Sequence, residues 1–336
     1  IMNNKLGKIL ITGGTGFIGS SLAKFLIKKK YDVTIFDNNL RGKVSRLNEY
    51  EDQFKFIEGD ITNFEQVNAA VNGIDTLFHL AFINGTDNFY NHPDKVLEVG
   101  VKGAITTLDA AKENNVKNYI VTSSSEVYQE PTNVPTNEKE RIIIPDIMNP
   151  RFSYSGAKII TELLTIHYLK NTNIRSIICR PHNFYGPDMG EGHVIPQITR
   201  RMILNSMKSK ENKFNFEIQG TGEETRSFCH IDDAVKGIYI CSINGKNQEI
   251  YHIGTNEEIS IKYLTELISE ELGYKVTIRG SEVRSGGTLR RCPDICKIQK
   301  LGFEPETNIK DGLKNTVKWY KENKLETISS EENIII

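Results

Sequence analysis

Five cysteines in 336 residues (Cys179, Cys229, Cys241, Cys292 and Cys296) are too few for a disulfide framework, so a reducing cytoplasm is the expected setting. No run approaches the roughly 18 consecutive apolar residues of a membrane span. The first apolar run is cut short by Gly13-Gly14, so no secretory h-region is expected either. Charge of one sign is also lacking. The 42 Lys and Arg against 43 Asp and Glu leave a net charge of -1, which gives no reason to expect a nucleic-acid partner; Arg290-Arg291 is the candidate for a local basic patch. Cys292-Pro-Asp-Ile-Cys296 has the wrong spacing for a CxxC site, with no His or second Cys pair nearby, so no metal is expected. There is no internal repeat and no low-complexity linker. What remains is an ordinary globular composition, 38% hydrophobic and 25% charged, long enough for one large domain or two packed ones.

Strands and helices alternate over the first half. Lys8 to Thr12 reads as a buried parallel strand running into glycines, and Ser20 to Lys30 as a helix with Leu22, Phe25 and Leu26 on one face. Strands follow at Asp32 to Asp37, Phe54 to Glu58, Thr76 to Leu80, Tyr119 to Ser123 and Arg175 to Arg180. Helices lie between them at Phe64 to Asn72, Pro93 to Asn114 and Ser153 to Lys170. This predicts an α/β fold, a doubly wound parallel (Rossmann) sheet over residues 1–180, with 226–254 returning to it. Residues 181–225 and 255–330 read as a smaller, loop-rich α/β lobe with a helix at Ile261 to Leu272; the other helix of this half, Ile231 to Ile243, falls in the returning segment. Interruptions fall at Asn183 to Gly192, Lys208 to Lys213, Gly220 to Glu224 and Gly280 to Gly287, and the tail from Glu326 is expected to fray.

Thr12-Gly13-Gly14-Thr15-Gly16-Phe17-Ile18-Gly19 sits where the first strand hands over to the first helix. Glycines allow a tight turn and close approach to a pyrophosphate, and the helix N-terminus offers N–H groups and a favourable dipole. Gly13, Gly16, Phe17 and Ile18 are therefore candidate cofactor contacts. Asp37, followed by Asn38, ends the second strand 18 residues after Gly19. A carboxylate there suits adenosine ribose hydroxyls and repels a 2′-phosphate, which favours NAD; Arg41 and Lys43 keep NADP open. Asp60-Ile61 is placed to meet the adenine, or Asp60 caps a helix. Leu80 and Ala81 wall the cleft, with His79 a structural residue.

Tyr154 and Lys158 stand at i and i+4 and share a helix face. A phenol is a poor base at neutral pH, but a neighbouring ammonium and a positive nicotinamide ring favour the phenolate. Tyr154 can then take a substrate hydroxyl proton as hydride leaves to NAD. Ser123-Ser124-Ser125-Glu126-Val127-Tyr128 follows the fifth strand, where a serine hydroxyl can share that proton.

With these motifs the chain resembles the extended short-chain dehydrogenase/reductase family, in particular its NAD-dependent nucleotide-sugar epimerases, dehydratases and decarboxylases. The TGxxGxxG segment is Thr12 to Gly19, the catalytic Ser/Thr falls on Ser124, and YxxxK is Tyr154 and Lys158. Arg180-Pro181-His182-Asn183-Phe184-Tyr185-Gly186-Pro187 and Arg226-Ser227-Phe228-Cys229-His230-Ile231-Asp232-Asp233 match two further family segments. The resemblance implies that Asn183 and Arg226 grip a sugar diphosphate and that Arg290 or Arg291 adds a phosphate contact. It further implies that His193-Val194 onward lines the nucleotide base, that NAD is held tightly, and that the protein is a homodimer supplying sugar nucleotides for polysaccharide.

Glu126 is the position that separates reactions. The resemblance makes it the C5 base of a nucleotide-sugar dehydratase, with Tyr154 oxidising C4, Lys158 in electrostatic support and Ser124 as proton partner. Ser125, in contact with substrate, replaces the aspartic acid of the dTDP-glucose dehydratases, so the acid for the leaving hydroxyl is unassigned. A 4-epimerase with Glu126 as bystander is the alternative. A UDP-glucuronate decarboxylase is a further one, since that group also carries Ser-Glu here. Retention of Ser124, Tyr154 and Lys158 argues against a non-enzymatic NAD-binding protein. Gln129 stands where many relatives have glycine, a departure with no chemical account at this level.

Overall fold

A computed structural model describes residues 5–281 and 289–323. Seven parallel strands form the central sheet: β1 (Lys8–Thr12), β2 (Asp32–Asp37), β3 (Phe54–Glu58), β4 (Thr76–His79), β5 (Asn118–Thr122), β6 (Arg175–Pro181) and an edge strand, Glu249–Ile253. Their order is edge strand, β6, β5, β4, β1, β2, β3. β1 pairs with both β2 and β4, so the order reverses beside it. A crevice opens at the C-terminal ends of strands at such a switch point. Helices cover both faces. Ile9 and Ile11 of β1 pack into one apolar cluster with Leu22 and Leu26, while Leu10 packs into another with Val67 and Leu108. Burial on both faces is why these strands read as continuous apolar runs.

The first helix, Phe17–Lys28, starts three residues before the predicted position because its N-terminus is the glycine turn itself. The helix expected from Pro93 to Asn114 is Pro93–Leu97, a π turn at Glu98–Lys102, then Gly103–Glu113. Gly100 in that π turn lets neighbours close in: a Cβ there would lie 2.4 Å from Phe82 and 2.9 Å from Ala157. Phe82 is thereby set against the helix Ser153–Leu169, which carries Tyr154 and Lys158.

The second half holds more helix than its polar composition suggested. Val194–Ser209 and Ile309–Asn323 are both helices, where the sequence reading named none. The second has Ile309, Leu313, Val317 and Tyr320 on its buried face, a helical period that was present in the sequence and outweighed by its many lysines. They pack with Ile261–Leu272 in a separate apolar cluster. Thr225–Ser227 lies between Glu258–Ser260 and the short strand Arg290–Arg291, and the register sets Arg291 beside Arg226. The predicted interruption at Gly280 to Gly287 lies mostly, and the tail from Glu326 wholly, outside the described residues. Among the described residues no helix is long and apolar enough to cross a membrane.

Candidate active site

A cleft of about 910 Å³ runs along the strand ends from the glycine turn to Tyr154 and on to His193. Gly13, Gly16, Phe17, Ile18, Asp37, Asn38, Asp60, Ile61, Leu80 and Ala81 all line it, as do Ser124, Ser125, Glu126, Tyr154, Lys158, Asn183 and His193. Val194, Arg226, Arg290 and Arg291 are not in its wall. Val194 packs instead against the apolar cluster of the second half.

The turn after β1 is built for a backbone-hugging ligand. Gly13 has φ +71°, and a Cβ on it would fall 2.7 Å from the Ala81 nitrogen; one on Gly19 would fall 2.1 Å from the Gly13 carbonyl oxygen. Gly16 is the N-cap and has no side chain with which to take up the first-turn N–H groups. Such a turn accepts pyrophosphate oxygens. Asp37 closes β2 and accepts from the amides of Thr15 (3.0 Å) and Asn39 (2.9 Å), which sets its carboxylate beside the glycine turn. Asp60 accepts from Thr62, and Asn63, not Asp60, caps the next helix. The buried Ser123 hydroxyl has no hydrogen-bond partner among the described residues and lies on the cleft wall. These features fit a dinucleotide. His79 sits underneath, bonded to the Thr12 hydroxyl at 2.9 Å; burial first, then Lys158, pushes its pKa down to about 3. It is a neutral structural group.

Tyr154 is 8% exposed, its ring stacked on Phe89 at 4.9 Å and met edge-on by Phe82 at 5.2 Å. Burial raises its pKa, and a hydrogen bond with Ser124 opposes the rise; Glu126 adds to it and Arg41 opposes it. Lys158 does something other than expected. Its ammonium donates to the Thr122 carbonyl at 2.7 Å, lies 3.8 Å from the Phe82 ring centre and 5.7 Å from that of Tyr154. Burial drives its pKa down to about 7, with Glu162 working against the fall. Among the described residues Ser124 and Arg41, rather than Lys158, are what favour the phenolate.

Glu126 stands on a 3-10 turn, Ser125–Val127, whose N-cap is Ser124. Burial alone would raise its pKa, but Arg291, which bonds the carboxylate directly, and then Arg151 and Arg226 hold it below the usual carboxylate range. Arg226 in turn has its pKa lowered to about 10, by burial and by Arg291. Arg291 and Arg226 thus address the cleft through Glu126. Arg290 turns away, forking onto Glu258 at 2.7 and 2.8 Å. Asn183, in the left-handed region at φ +43°, lines the cleft while its side chain donates to the Ser227 carbonyl. His193 forms the N-terminal edge of Val194–Ser209, its pKa lowered by burial and then by Arg41. Sequence reasoning missed Arg151, Arg46 and Phe89, whose positions carry no motif. It weighed Arg41 only against a 2′-phosphate, whereas its charge acts on Tyr154 and His193.

Residues 9–254 match the NAD dependent epimerase/dehydratase family. The chain is 30% identical over 321 residues to a putative UDP-glucose 4-epimerase from Methanocaldococcus jannaschii, covering 94% of this chain and 99% of that one. It is also 30% identical over 325 residues to a UDP-N-acetyl-alpha-D-glucosaminuronate decarboxylase from Bacillus cytotoxicus, covering 94% and 98%. Its structure resembles a dTDP-glucose 4,6-dehydratase double mutant from Streptomyces venezuelae solved with NAD bound, with TM-score 0.83, 27% identity, and 94% and 97% of the two chains covered. The three are an isomerase, a decarboxylase and a dehydratase.

Proposed function

The chain belongs to the NAD-dependent epimerase/dehydratase family, and from that premise we propose that it dehydrates a nucleoside-diphosphate sugar through a transient 4-keto sugar. NAD is its cofactor and, when bound, supplies a reversible two-electron acceptor at C4. The observation that carries the reading is Glu126: an ionised carboxylate on the cleft wall, two residues from Ser124 and near enough to Tyr154 to act on its charge.

In this reading Tyr154 takes the proton of the C4 hydroxyl, relayed by Ser124. A ketone at C4 acidifies the C5 hydrogen, and Glu126 removes it. Loss of the C6 hydroxyl then needs a proton. Ser125 is no acid, and Glu126 is the only carboxyl between Ser123 and Val127. Having taken the C5 proton, Glu126 holds the one that the departing hydroxyl requires, so hydrogen from C5 and hydroxyl from C6 leave together as water. The hydride taken from C4 would then return to C6, and the proton that Tyr154 took from the C4 hydroxyl balances the one C5 takes up, so the product is a 4-keto-6-deoxy sugar and the cofactor is left oxidised as it began. Asn183, on the cleft wall, meets the diphosphate, while Arg226, outside that wall, adds its positive charge through Glu126.

A second reading is uronate decarboxylation. Arg291, Arg226 and Arg151 all act on Glu126, so three guanidiniums surround one carboxylate. That surplus suits a sugar carrying a C5 carboxylate, and the Bacillus cytotoxicus relative is a decarboxylase. Mass spectrometry of UDP-, GDP-, dTDP- and CDP-hexoses, UDP-GlcNAc and UDP-glucuronate after incubation with the protein decides. Loss of water, abolished by Glu126→Gln, supports dehydration. Loss of carbon dioxide makes the protein a decarboxylase, and a new isomer of unchanged mass makes it an epimerase.

A further inference from the structure

The backbone of Gln129 sits at φ +51°, a region where non-glycine residues are uncommon and where Asn, Asp and His are the usual exceptions. Glycine, with no Cβ, takes up such a backbone at the least steric cost. Gln129 keeps that conformation and adds a side chain, 6% exposed, whose Nε2 donates to the Glu126 carbonyl at 2.6 Å. Glycine would make the turn with less strain, so the turn alone does not account for the side chain.

Glu126 is tied at its other peptide too. Its amide donates to the Ser124 hydroxyl at 3.1 Å. The two peptide planes flanking its Cα are each held by a side chain, and each plane is rigid. Holding both fixes φ and ψ of Glu126 and hence the direction in which its Cα–Cβ bond leaves the backbone. Arg291 then takes the carboxylate at the far end.

We propose that Gln129 is a positioning residue for Glu126, clamping its carbonyl so that the carboxylate is aimed into the cleft. The proposal rests on reading Glu126 as the acid–base group.

The test compares wild-type holoenzyme with Gln129→Gly, Gln129→Asn and Glu126→Gln, using whichever sugar nucleotide of the panel is turned over. Glycine tolerates φ +51° and asparagine suits it, but neither side chain reaches the Glu126 carbonyl. The expected result for both Gln129 variants is a fall in kcat of roughly ten- to a hundredfold, the scale of a misaimed reacting group, with KM little changed. Relief of strain at φ +51° offsets the lost hydrogen bond, so the melting temperature should change little. Amide exchange in the peptide covering 124–128 should rise. Wild-type kcat and exchange in Gln129→Gly, or a loss of kcat that only follows a lowered melting temperature, overturn the proposal. Full turnover by Glu126→Gln instead removes the acid–base reading, and the exchange measurement still decides whether Gln129 orders the turn.

Discussion

Arg46 and Asp188, 142 residues apart, form a clasp across the mouth of the glycine turn. Arg46 Nε donates to Asp188 Oδ2 at 2.7 Å, Nη2 donates to the Asp188 carbonyl at 2.9 Å, and Nη1 donates to the Thr15 carbonyl at 3.0 Å. One guanidinium therefore ties the loop after β2, the turn under the dinucleotide and the segment that follows Gly186-Pro187. The pair is mostly shielded, at 13% and 27% side-chain exposure, so it escapes the weak values of fully exposed pairs.

Arg46→Ala should loosen the glycine turn and the second half together. The expected signs are loss of NAD on gel filtration and a rise in KM for sugar nucleotide. Each of Arg46→Ala and Asp188→Ala should weaken the fold, and a double-mutant cycle on melting should give a coupling of about 1 to 2 kcal/mol. Independent, additive effects would show that the clasp is a contact without a role.

Lys158 sets activity against stability. Its folded pKa, about 7, lies below the ordinary lysine value near 10.4. Between these limits the unfolded chain binds the proton that the folded chain releases, so the contribution of Lys158 to stability rises with pH across that window and is least favourable below it. Lys158→Met should abolish turnover. Melting of the NAD-free protein should be no lower at neutral pH, and its rise from pH 7 to pH 10 should be flatter. A steeper rise in the variant would contradict the sign.

Much of this site was legible in the chain because its parts are local. The glycine spacing, Asp37 at the end of β2, and Tyr154 with Lys158 are set by one turn or one helix each. The runs of β1 and β5 declare themselves because parallel strands buried on both faces leave no polar alternation. What stayed hidden depends on distant pairing. Arg291 meets Glu126 across 165 residues only because Arg290–Arg291 lies beside Thr225–Ser227 in register. The fork of Arg290 onto Glu258, rather than toward the cleft, follows from the same short sheet. The placement of Lys158 against Phe82 required the close approach allowed by Gly100. None of these is visible in a spacing.

The buried pair of Arg180 and Glu162 is the part of the polar interior most sensitive to change. Both side chains are under 5% exposed, and they meet through two bonds of 2.8 and 2.6 Å. Glu162 also lies one turn beyond Lys158 and supports its charge. Glu162→Gln leaves a guanidinium buried without its counter-charge, which should cost about 3 to 5 kcal/mol. Calorimetry reads that loss directly, and Arg180→Met together with Glu162→Leu should recover a good part of it by removing both charges.

Arg291 controls the proton on Glu126, and the sign of its removal follows from the opposing forces there. Burial pushes the Glu126 carboxyl up, while Arg291, then Arg151 and Arg226, pull it down further than burial lifts it. With Arg291→Met the largest downward pull is gone and burial remains, so the carboxyl must rise. If Glu126 works as an ionised base, the acid limb of the kcat profile lies below the usual carboxylate range in the wild type and moves to higher pH in the variant. Activity near pH 5 should then suffer more than activity near pH 8. Loss of a diphosphate contact alone would instead raise KM evenly across pH and leave the acid limb of kcat in place. A pH series of kcat and KM on the two proteins separates the two roles, and an unmoved acid limb would take Arg291 out of the acid–base chemistry.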